Sequence, residues 1–77
     1  MDLRQVFATN LRRLRHAKGW SQEELAFRAK VNRTYVSKLE TGATWAGLEV
    51  ISKLARVLGV EPAELLARPA RAGRRRT

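Results

Sequence analysis

Glycine punctuation constrains this chain more than any other feature. Gly19, Gly42 and Gly59 each close a stretch in which apolar residues recur at helical spacing. No stretch alternates as a strand does, and no internal repeat is visible. Leu3, Val6, Phe7, Leu11 and Leu14 fall on one stripe, with Arg4, Arg12, Arg13 and Lys18 off it, which predicts a first helix over residues 3–17. Ser21 then offers an N-cap, Glu24 completes a capping box, and Trp20 and Leu25 are spaced for a hydrophobic staple. This second helix is short, about residues 22–29. Asn32 caps a third that runs to about Thr41, with Tyr35, Val36 and Leu39 facing inward. Residues 43–46 form a loop, and a fourth helix over 47–58 buries Leu48, Ile51, Leu54, Ala55 and Leu58. A short last helix over 61–66 carries Pro62 in its first turn, where the missing amide costs nothing. The expected fold is all-α, a compact five-helix bundle.

A chain of 77 residues allows one small domain, placed here at residues 1–67. The absence of cysteine removes disulfides and thiolate metal sites, and a single histidine leaves no imidazole-rich one. No apolar run approaches a membrane span, and the polar breaks in the first residues do not read as a signal peptide. A soluble, cytoplasmic domain without cofactor, metal or evident small-molecule ligand is expected. The acids Glu23, Glu24, Glu49, Glu61 and Glu64 are scattered over helix faces, so no paired catalytic site emerges and an enzyme is not expected. Glu49 and Lys53 read as an ordinary i,i+4 pair, Trp20 as core and His16 as an exposed helix residue.

Charge points to a partner. Lysine and arginine total 16 against 7 acids, a net charge of +9, and nucleic acid is the natural polyanion for such a chain. Arg68, Arg71, Arg74, Arg75 and Arg76 lie in the last ten residues, so the rest of the chain is only mildly basic. The segment 68–77 reads either as a solvated, disordered end or as a phosphate-binding arm.

Local charge is better placed. Two short helices joined by Lys30-Val31-Asn32 make a helix-turn-helix candidate. Ala26 is small where the helices pass closely, and Val31, Val36 and Leu39 have the spacing to fill the angle between them. Arg33, Thr34, Ser37 and Lys38 are left on the outer face of the third helix. They form one polar strip able to enter a major groove roughly 12 Å wide.

The stretch SQEELAFRAKVNRTYVSKLETG, followed by LEVISKLARVLGVEPAELL, resembles the helix-turn-helix domain of the phage-repressor family, the Cro/cI or XRE-type regulators. Asn32 to Ser37 is also similar to the controller proteins of restriction–modification systems. The resemblance implies a lambda-repressor-like five-helix bundle that binds double-stranded operator DNA as a dimer. It implies a phosphate clasp at Ser21 and Gln22, where the helix start also favours an anion physically. It implies base reading by Arg33, Thr34, Ser37 and Lys38, and a structural pair between Arg15 and Glu40. Asn32, Tyr35 and Lys30, read from their own places beside this strip, are expected at the DNA backbone. Two positions depart from the family pattern. Lys30 stands where such turns usually carry glycine, and Trp45-Ala46-Gly47 replaces an asparagine-proline-serine-like start to the fourth helix. Trp45 is left open between core lid, dimer contact and DNA-facing residue.

One recognition helix reads only a few base pairs, so a homodimer is expected. Val50 and Val57, seven residues apart on a second face of the fourth helix, join Val60 and Leu66 as its expected apolar surface, unless the last helix folds back over them. The rival reading is an antitoxin or adaptor whose main partner is another protein. It would require apolar anchors on the outer face of the third helix.

Overall fold

The structure, a computed structural model, describes residues 2–68. Within them lie five helices and no strand: α1 (Leu3–Lys18), α2 (Gln22–Ala29), α3 (Arg33–Thr41), α4 (Leu48–Leu58) and α5 (Pro62–Leu66). None is long and apolar enough to cross a membrane. Apart from Arg68, the arginines assigned to a basic arm lie outside the described residues.

The three punctuating glycines behave as expected. Gly19, Gly42 and Gly59 all take left-handed backbone and close α1, α3 and α4. Gly42 carries a second constraint, because a Cβ there would collide with the Gln5 side chain of α1. Helix starts are also chemically specified. Asp2, Ser21 and Asn32 accept from the backbone amides of Gln5, Glu24 and Thr34 and cap α1, α2 and α3. The reciprocal half of the expected Ser21–Glu24 capping box is absent, because the Glu24 carboxylate accepts from Arg28 one turn on, at 2.7 Å. A complete capping box forms instead on α5, between Glu61 and Glu64.

The core is built from Phe7 and Leu11 of α1, Leu25, Ala26 and Ala29 of α2, Val36 and Leu39 of α3, Ile51, Leu54, Ala55 and Leu58 of α4, and Leu65 of α5. α1 packs on α3 and α5, and α2 lies between α3 and α4. Two residues expected inside lie outside. Leu48 is 84% exposed and Leu3 46% exposed. Each is the first residue of its helix. A helical side chain leans over the turn N-terminal to its own Cα, and at the first position no packed turn lies there. Trp20 is half-buried rather than enclosed, with the Arg28 guanidinium 4.3 Å from its ring centroid. Tyr35 is also half-buried.

α5 is fastened by a residue that the helical pattern does not flag. Asn10, fully buried in α1, donates from Nδ2 to the carbonyls of Leu65 and Ala67 at 2.9 and 2.7 Å. These bonds satisfy carbonyls that the end of a short helix leaves without partners.

Candidate nucleic-acid interface

α2 and α3 are joined by a tight turn that fixes the direction of α3. Lys30 holds φ 58 in this turn, the left-handed conformation, and is the one non-glycine residue among those described to do so. Its backbone amide still closes α2 on Phe27. Val31 packs half-buried against the core, and Val36 and Leu39 are buried behind it. The side chains left outside are Arg33, Thr34 and Lys38, all exposed, and Ser37, half-buried. They share one face of a nine-residue helix, as the spacing demands.

The polar groups on this face are largely uncommitted. Arg33 makes one loose contact, 4.0 Å from Nε to Glu23 Oε2, with both side chains more than half exposed. Its guanidinium is therefore available to an outside acceptor. Thr34, Ser37 and Lys38 form no side-chain hydrogen bond or ion pair among the described residues. Asn32 uses Oδ1 to cap α3 at 2.7 Å and stands exposed, which leaves its amide nitrogen to solvent or to a ligand.

The reverse side of α3 contrasts with this. Glu40 is buried, and Arg15 grips it as a fork, Nε to Oε2 at 2.6 Å and Nη2 to Oε1 at 3.0 Å. Arg15 Nη1 also donates to the Trp20 carbonyl at 2.7 Å, and Arg12 donates to the Glu40 carbonyl. The expected pairing of Arg15 with Glu40 is thus present and ties α1 to the end of α3. Gln22 joins it. Its Nε2 donates to Glu40 Oε1 at 3.0 Å, so the side chain expected at a phosphate is engaged inward in the DNA-free chain. The Gln22 backbone still opens α2 beside the exposed Ser21.

Tyr35 reaches toward the loop after α3, with its hydroxyl 3.5 Å from the Trp45 carbonyl. The Trp45 ring is 62% exposed, so it is not a core lid, and the Arg4 guanidinium lies 4.9 Å from its centroid. The expected Glu49–Lys53 pair does not form. Val50, Val57, Val60 and Leu66 are half-buried against the core, so the fold already covers part of each.

A helix–turn–helix with a polar outer strip, braced from behind, matches known proteins. The family described as helix-turn-helix matches residues 11–65. The chain belongs to this helix-turn-helix family. A hypothetical transcription factor from Neisseria meningitidis is 48% identical over 68 residues, which span 88% of this chain and 64% of that relative's length. The control protein C.BamHI of Bacillus amyloliquefaciens is 39% identical over 66 residues, covering 84% of this chain and 82% of that protein. Among solved structures, the hypothetical transcription factor from Neisseria superposes with a TM-score of 0.86 at 48% identity, over 88% of this chain and 78% of that one. The restriction–modification controller protein C.AhdI of Aeromonas hydrophila superposes with a TM-score of 0.78 at 47% identity, over 80% and 94% respectively. These helix-turn-helix relatives are transcription regulators and controller proteins, not enzymes.

Proposed function

We propose that this helix-turn-helix chain is a sequence-specific regulator of transcription that reads double-stranded DNA through α3. The observation that carries this reading is the uncommitted polar strip of Arg33, Thr34, Ser37 and Lys38 beside a fully committed buried face. Arginine suits the O6 and N7 acceptors of guanine as a bidentate donor, and the threonine methyl suits the methyl of thymine. Ser21, Asn32 and Lys30 flank the strip at the starts of α2 and α3 and at the turn, where they would hold phosphates and fix the register. Gln22 and Tyr35 reach the backbone from the same side, Gln22 by exchanging its bond to Glu40 for a phosphate oxygen. A strip built to dock a protein would carry apolar anchors. The large exposed apolar side chains among the described residues, Leu3, Phe27, Trp45 and Leu48, all lie off α3.

A nine-residue recognition helix contacts too few base pairs for useful specificity. Two copies related by a two-fold axis, with their recognition helices roughly 34 Å apart, would read an inverted repeat. Selection of bound sites from random duplex DNA at fixed salt tests this function. An inverted-repeat consensus is the expected result. A pool that shows no enrichment overturns sequence-specific reading, and an enriched site without symmetry overturns the dimeric form of it.

A further inference from the structure

A second concentration of positive charge lies apart from the outer strip of α3. Arg28 at the end of α2, Lys30 in the turn, and Lys53 and Arg56 of α4 line a groove of about 100 Å³. No acid among the described residues lines it. Arg28 is balanced by Glu24 at 2.7 Å. Lys30, Lys53 and Arg56 form no side-chain hydrogen bond or ion pair among the described residues.

Structural roles account for only part of this charge. Arg28 and Arg56 stand in the last turns of α2 and α4, where a cation meets the negative end of the helix dipole. Lys53 has no such place. It stands mid-helix, and Glu49, one turn before it, makes no pair with it. It is also half-buried. Burial strips water from an ammonium, and the neighbouring cations repel it, so an anion arriving there gains more than it would at an open surface.

Lys30 identifies the anion. It lines the groove, and it also precedes Arg33 by three residues, beside the strip held to read DNA. The groove therefore begins where the reading surface ends. A duplex seated on α3 presents its own backbone to the next cations at high effective concentration, an advantage that a free anion lacks. We propose that the duplex continues past the site read by α3 along this groove, and that Lys53 and Arg56 hold phosphates of its flanking backbone. The proposal rests on the DNA-reading function above and extends its footprint onto α4. These contacts add affinity and register but carry no sequence information, because phosphates are alike at every step.

Fluorescence anisotropy titrations of the full chain at several salt concentrations test the groove. Two duplexes are compared, one trimmed to the selected site and one extended by roughly one helical turn on either side. On the extended duplex, the slope of log K against log salt should be shallower for Lys53→Gln/Arg56→Gln than for the wild type by roughly two per bound chain, about one for each lost phosphate. On the trimmed duplex, and in the consensus selected from random DNA, the variant should match the wild type. Arg56→Gln alone, at an exposed position, should show about half the slope difference and decides the matter if the double variant loses helix by circular dichroism. Equal slopes on the extended duplex overturn the proposal. An equal loss on both duplexes overturns it too, because the cations would then lie within the site. Co-capture of a second, differently labelled duplex by the wild type but not by the variant would assign the groove to another DNA molecule and overturn it as well. A scrambled duplex of the extended length keeps the two readings apart. If it binds as tightly as the selected one, sequence reading by α3 fails, while the slope difference still decides the groove.

Discussion

The two sides of α3 are built from the same kinds of residue and do opposite things. On the inner side, Glu40 accepts from Arg15 and Gln22, its carbonyl accepts from Arg12, and no polar atom is left over. On the outer side, Arg33, Thr34, Ser37 and Lys38 have almost nothing to hold among the described residues. A buried charge must be satisfied internally or the fold fails, whereas a surface charge left unsatisfied is free to meet a partner. The difference separates structural from functional polarity within nine residues. The inner fork ties α3 to α1, and the outer strip is the face proposed to read DNA.

The largest expected effect breaks the inner side. Glu40→Gln leaves the Arg15 charge buried without its counter-ion and should cost about 3–5 kcal/mol, read by denaturant unfolding. Stability equal to the wild type would show that the fork is solvated and dispensable. The next breaks the outer side alone. Arg33→Ala should lower affinity for the selected duplex by about 1–3 kcal/mol and relax preference at one base position, with the melting temperature unchanged. A loss of stability in place of affinity would place Arg33 among the structural residues.

Two further substitutions should have smaller effects. Lys30 holds a left-handed backbone that favours glycine, so Lys30→Gly should raise stability by about 1 kcal/mol in thermal unfolding while weakening DNA binding uniformly across sequences. A more stable variant with unchanged affinity would remove Lys30 from the phosphate contacts. The exposed Glu24–Arg28 pair has no buried partner to strand, so Glu24→Gln should change stability by only a few tenths of a kcal/mol.

Much of the fold was legible because its signals are local. Left-handed glycines, cap residues and helical stripes each act within one turn of chain, and α2 and α3 run between the residues that the caps predict. The misplacements share one cause. Leu3 and Leu48 match the stripe by number, but each opens its helix, and the stripe continues there into solvent. Both residues line one apolar groove. The polar strip of Arg33, Thr34, Ser37 and Lys38 was legible as the outer face of a short helix. The Gln22 bond to Glu40, the Arg12 bond to the Glu40 carbonyl and the Asn10 clasp on α5 were not. Each joins residues distant in sequence, and nothing in the neighbouring residues specifies a partner of that kind.

Whether the outer strip of α3 distinguishes sequences is decided by titrating the full chain against its selected duplex and a scrambled duplex of equal length and composition, at one salt concentration. The selected duplex should bind roughly a thousandfold tighter or more. Equal affinity for the two would contradict the account and reduce the strip to a surface that holds DNA without reading it.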